Sequence, residues 1–276
     1  MEPDISISQH IYAENNIDEK LLFRTSANFL CNFMKKPEYL KQIIRDMAIK
    51  PRYVEEQIEY LGIPSFKTIT FPMTCFCDIP LTKVSHHMSN YGNYGIALNK
   101  NYCISKDVQP ITYINKNSRL CADLSETFRK LFSSAELPDD LKIYPNMLLG
   151  YLLYMKPIDG PMRRGDEQPE HYLFKDECEW RYIPQLLETE KQSMPLIMNP
   201  HDNTEKGRKV YSEALAKDKS TWFKFDVDKI EYIIVPDEAN AIDMIKAING
   251  LHTISKNDKL RLISKIEIAK KIPENF

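Results

Sequence analysis

FKTITFPMTCFCDI, residues 66–79, is the stretch on which the fold turns. It is apolar, aromatic and β-branched and ends at Pro80, which reads as a buried strand. Upstream, Leu21–Ser26 (LLFRTS) reads as a short strand, and Ala27–Leu61 as helical, with Leu30, Phe33, Met34 and then Leu40, Ile43, Ile44, Met47 at helical spacing. Downstream, Leu81–Asn90 reads as a short helix carrying His86 and His87, followed by strands YGIAL (94–98) and ITYI (111–114). Helices are expected at 120–132 and 147–154, a Pro/Gly/charged loop at 156–170, and a strand at 172–183. Residues 185–220 are polar and carry no assignment. Strands follow at 222–227 and 230–236, a helix at 239–249 and a last strand at 261–269. The elements intersperse without a βαβ rhythm. The expectation is an irregular segment over residues 1–20, then one α+β domain over 21–276. Its central sheet would be mixed or antiparallel, with a helical insertion after the first strand.

Composition narrows the function. The chain has 276 residues, of which 43% are hydrophobic and 28% charged, enough to bury a core. Only 8 are glycine, and their spacing admits neither a G-x-G-x-x-G nor a G-x-x-x-x-G-K-[ST] loop. A nucleotide would have to be held without a glycine cradle. Lys plus Arg number 37 against 39 Asp plus Glu, so net charge does not indicate nucleic acid as a partner. No signal peptide and no membrane span are visible, and six cysteines without signs of secretion fit reduced thiols in a cytoplasm.

Four groups of residues invite chemistry. In DECEWR (176–181), strand alternation would put Glu177, Glu179 and Arg181 on one face, and Cys178 and Trp180 on the other. That face is either solvated beside a buried Trp180, or buried with the carboxylates sharing a cation, for which Arg181 is at hand. Arg24, inside an apolar strand, could bind an anion through its fork, pair with a carboxylate such as Glu179, or lie exposed. Tyr91-Gly92-Asn93-Tyr94-Gly95 is the densest glycine region, either a plain turn or a place where Tyr91 and Tyr94 meet a planar ring. Cys75-x-Cys77 near His86 and His87 lacks metal-ligand spacing and reads as core, so no metal is expected.

Taken together, CFCDIPL (75–81), YGNYGIALNK (91–100), QPITYI (109–114) and DECEWRYIP (176–184) resemble the AbiGi-like proteins of bacterial abortive phage infection, over residues 20–184. The resemblance implies a component of a multi-protein or toxin–antitoxin defence system, with a protein partner and no assigned chemistry. A second, weaker resemblance is to ADP-ribosyltransferase folds. It implies NAD as cofactor and transfer of its glycosyl group. Arg24 and Thr25 would lie at the pyrophosphate, Tyr91 or Tyr94 on the nicotinamide, and Glu177 and Glu179 as the catalytic carboxylates. The chain departs from that pattern in having no clear Ser-Thr-Ser element. A non-catalytic adaptor is the third reading.

Overall fold

The computed structural model describes residues 26–63, 66–133, 143–162, 171–186 and 194–272. Leu21–Phe23, Arg24, Thr25, Arg163 and Arg164 lie outside these residues. The elements run β1 (Phe29–Met34), α1 (Pro37–Asp46), β2 (Ala48–Ile49), β3 (Arg52–Gln57), β4 (Thr68–Cys77), α2 (Ser85–Tyr91), β5 (Tyr94–Asn99), α3 (Lys100–Ser105), β6 (Gln109–Pro110) and β7 (Thr112–Ile114). They continue with α4 (Arg119–Ser133), α5 (Ile143–Leu152), β8 (Met155–Pro157), β9 (Glu179–Tyr182), α6 (Glu205–Leu215), β10 (Phe223–Lys224), β11 (Ile230–Val235), α7 (Glu238–Asn249), α8 (Lys256–Ile263) and β12 (Ile266–Ile268).

The class is α+β, as the sequence implies. The main sheet has the order β12-β11-β5-β1-β4-β9-β6, with β3 also on β4. It is mixed: β12 runs parallel to β11, and the other pairings are antiparallel. The 66–79 stretch is its spine. Eight of the ten β4 residues are buried, which is why the segment lacks alternation. Pro72 lies inside this strand, opposite Tyr53 of β3.

Three assignments change. Ala27–Leu61 is not one helical stretch but β1, α1, β2 and β3. Leu30, Phe33 and Met34 satisfy a helical spacing, yet six consecutive residues of β1 pair with β5, and that ladder overrides the local pattern. A helix does follow this first described strand. It opens on Pro37 at its first turn and ends at Met47 in the left-handed region, φ 46°. Residues 261–269 divide between the end of α8 and the three-residue β12. Residues 172–183 hold a 3₁₀ turn, Phe174–Glu177, before β9 begins. Cys178 at φ 43° separates the two. The unassigned polar stretch contains α6, capped by Thr204, whose side chain accepts from the Gly207 N–H at 3.0 Å.

Within the sheet, β1 pairs with β4 only at Cys31↔Cys77, whereas β3 takes up β4 from Thr68 to Met73. In the interval the Asn32 amide donates to the Cys75 carbonyl at 2.7 Å. A cavity of about 950 Å³ opens there, walled by β1, β3, β4 and the residues discussed below.

The turn that ends α2 depends on glycine. Gly92 has φ 116°, and a Cβ there would lie 2.2 Å from the Met34 carbonyl oxygen. Gly62 has φ 58° but open space around it. Gly92→Ala is expected to lower unfolding free energy by about 3 kcal/mol, against about 1 kcal/mol for Gly62→Ala. Urea midpoints at unchanged m-value would check this; equal losses would refute the close-packing account.

Candidate functional site

Arg181 has no solvent exposure, although it is a guanidinium. It is buried because β9 pairs with β4 so that Arg181 stands opposite Cys75 and Glu179 opposite Cys77, on the covered side of the strand. A buried cation must find partners. Its Nε donates to Glu179 Oε1 at 2.7 Å, Nη1 to the Leu153 carbonyl at 2.7 Å, and Nη2 to Glu56 Oε2 at 3.1 Å. Lys156 on β8 adds a second cation, with Nζ 2.6 Å from Glu177 Oε2 and 3.0 Å from Glu179 Oε2. The Tyr91 hydroxyl donates to Glu177 Oε1, and the Glu179 backbone N–H donates to the Tyr113 hydroxyl at 2.9 Å. Lys156 Nζ also sits 4.6 Å over the Phe174 ring.

The electrostatics follow from this packing. Burial alone would raise the Glu179 carboxyl, but Arg181 and Lys156 outweigh it and hold it well below the usual carboxylate range. Burial opposes the charge on Lys156 and Arg181, yet the carboxylates around them push both well above their ordinary values. Burial and Glu177 push the Tyr91 hydroxyl up, so it remains a proton donor. Tyr172, whose hydroxyl accepts from Asn90 Nδ2 at 3.2 Å, is pushed up to about 12 by burial and Glu177.

The structure therefore brings Glu177, Glu179 and Tyr91 together on one cavity wall. Glu177, Glu179 and Arg181 do converge, but only Glu179 and Arg181 lie in the strand; Glu177 reaches the cluster from the preceding 3₁₀ turn. It is the carboxylate side of the motif that is buried, and Trp180 that is partly exposed. Tyr94 does not join. Its hydroxyl donates to Asn240 Oδ1 at 2.7 Å, on α7, and it lines a separate small pocket. Arg24 and Thr25 lie outside the described residues. Of the two histidines, His87 lines the cavity and stacks on Tyr91 at 4.4 Å. Cys75 and Cys77 belong to the strand core. Cys77 faces Cys31, and burial pushes the Cys75 thiol up. Among the described residues no cluster of His, Cys, Asp or Glu is placed to hold a metal ion. Lys156 and Glu56 escape sequence reading. A lysine in YLLYMKP and a glutamate in RYVEEQ look ordinary until β7–β8 and β3–β4 pairing turns both inward.

Comparison with known proteins places this scaffold. Residues 47–236 match the family described as "Putative abortive phage resistance protein AbiGi, antitoxin". The match runs beyond residue 184, where the motif resemblance fades, and takes in α6, β10 and β11. The chain belongs to this family of abortive phage resistance proteins. It is 34% identical to the abortive phage resistance protein AbiGi of Lactococcus lactis subsp. cremoris, over 83% of this chain and 100% of that protein. No solved structure matches. Among the described residues no helix is long and apolar enough to cross a membrane.

Removing one partner from a buried ion cluster leaves the others uncompensated. Glu179→Gln is expected to cost roughly 3–5 kcal/mol of unfolding free energy. The pH dependence has a definite sign. The folded-state value of Glu179 lies below its ordinary 4.5, so its contribution is present above pH 4.5 and is lost as pH falls through the folded value. Urea titrations from neutral pH into this acid range should show a steeper loss in the native chain than in Glu179→Gln. Parallel slopes would remove Glu179 as the acid-sensitive group.

Proposed function

We propose that the chain is the antitoxin-type companion in a multi-component phage-defence system, acting by holding a protein partner. The family description supports a partnered role, and the observation that carries the reading is the engagement of Glu179. Both its oxygens are taken by Arg181 and Lys156, and both of these cations are buried. A carboxylate held this way serves the architecture. Expression of the protein encoded alongside this chain should arrest growth of a bacterial host, and co-expression of this chain should restore growth and co-purify with it. Unrelieved arrest with no co-purification would sink the proposal. A folded Glu179→Gln variant is expected to restore growth as the native chain does.

A second reading, transfer from NAD, is favoured by one specific feature. Tyr91, Glu177 and Glu179 line a cavity whose volume, about 950 Å³, is at the upper end of the roughly 300–1,000 Å³ usual for ligand pockets. NAD would supply an activated glycosidic bond. Tyr91 would pack on its nicotinamide, and Glu179, relinquishing one cation, would face the ribose. Arg24 and Thr25 retain the pyrophosphate role in this reading. Thr74, on the same wall, has an enclosed hydroxyl with no hydrogen-bond partner among the described residues. Release of nicotinamide from NAD that is lost in Glu179→Gln would support the reading; no release with or without the partner would end it.

A further inference from the structure

Two thiols meet where β1 and β4 touch. Cys31 and Cys77 are the single residue pair between these strands, and both are free. Directly opposed residues of an antiparallel pair stand about 4.5–5.5 Å apart at Cα and project to the same face. That separation lies inside the roughly 4.4–6.8 Å that a disulfide spans. Each residue is 1% exposed, so neither can reach a thiol on a second molecule. The neighbouring cysteines are placed differently. Cys75 stands opposite Arg181 and donates to the Met73 sulfur at 3.4 Å, while Cys103 and Cys121 lie in other parts of the core.

A base and an entrance lie beside the pair. Cys31 and His87 both line the cavity, which gives a small oxidant a route to thiols otherwise packed among Ile79, Val84, Met88 and Ala97. His87 sits against the Cys77 thiol. Burial, and then Cys31, push that thiol well above its ordinary value, so at rest it stays protonated; the hydrogen bond and charge of His87 pull the other way. His87 is thus the group placed to take the Cys77 proton.

We propose that Cys31 and Cys77 form a reversible disulfide in the folded chain when a peroxide enters the cavity, a covalent staple across the seam between β1 and β4. The peroxide gives one oxygen to the Cys31 thiol, making a sulfenic acid, and leaves as water. The Cys77 sulfur then attacks the Cys31 sulfur while its proton passes to His87. The sulfenic hydroxyl departs with that proton as a second water. Two thiols and one peroxide give one disulfide and two waters, the sulfurs being oxidised and the peroxide reduced. In a reducing compartment such a bond is transient and sensing, not structural. The inference is independent of both readings of function, since it requires neither a partner nor NAD.

The test is to treat the reduced full chain with hydrogen peroxide, quench with N-ethylmaleimide in urea, digest, and map the products by mass spectrometry. A peptide pair joining Cys31 to Cys77 is expected, lost again on treatment with dithiothreitol. The oxidised chain should unfold at a urea midpoint higher by about 1 M, because the bridge restricts the unfolded chain. His87→Gln is expected to slow bridge formation about tenfold or more and to let dimedone-trapped Cys31 accumulate, which a merely structural histidine would not do. No Cys31–Cys77 peptide, bridging only when peroxide is added in urea, or bridging spread evenly over the six cysteines would overturn the proposal. A native rate in folded His87→Gln would overturn the step assigned to His87. If that variant fails to fold, the map of the native chain decides.

Discussion

The contact between Arg181 and Glu179 is the constraint around which the neighbouring elements are arranged. Two residues apart on a four-residue strand, they form a side-chain pair that no short strand could keep buried alone. Burial needs β3 to supply Glu56, the end of α5 to supply the Leu153 carbonyl, and β8 to supply Lys156. Three stretches distant in sequence, β3, the turn from α5 into β8, and β9, are thereby held in one register. Such a cluster adds little net stability over a well-packed apolar equivalent, because desolvation consumes most of the attraction. What it does is make each alternative arrangement expensive, since any displaced segment leaves a charge stranded in the interior.

The same cluster explains the unusual composition of β4. A strand flanked by β9 on one part of its length and by β3 on another has no wet face along most of its course. Cores on both sides cover it: Phe71 and Met73 pack with Ile114, Phe128 and Leu149, while Phe76 packs with Leu30, Ile96 and Phe223. Phe223 in turn meets Phe76, Tyr102 and Tyr182 edge-on, which ties the short β10 to the sheet without backbone pairing between them.

Legibility in the sequence followed the range of the deciding interaction. The β4 strand, β5, β11, α4 and α7 could be read because burial and periodicity act within a few residues. The segment 27–61 could not, since the choice between helix and strand for Phe29–Met34 is made by pairing with β5 some sixty residues on. At the site, the E-x-E-x-R pattern exposed Glu177, Glu179 and Arg181, whose spacing carries the signal. Lys156 and Glu56 carry none, because their inward turn comes from strand partners. Tyr91 and Tyr94 look equivalent in YGNYG, but Gly92 reverses the chain between them, and they finish at opposite ends of α2's closing turn.

The solitary pairing of β1 with β4 gives the sheet an uneven mechanical character. On one flank β12, β11, β5 and β1 are laced by ladders interrupted by a register shift between Ile230 and Tyr232, and on the other β3, β4 and β9 are laced by ladders too. Between them a single residue pair, Cys31 and Cys77, stands where a ladder would run. Compliance is thus concentrated along one seam. The seam is bridged by the Asn32 amide on the Cys75 carbonyl and, just past Cys77, by Asp78, which accepts from the Ala27 N–H at 3.1 Å and pairs with buried Lys100. Opening along that seam would cost these few side-chain contacts and the one Cys31–Cys77 pairing, while the ladders within each flank would be spared.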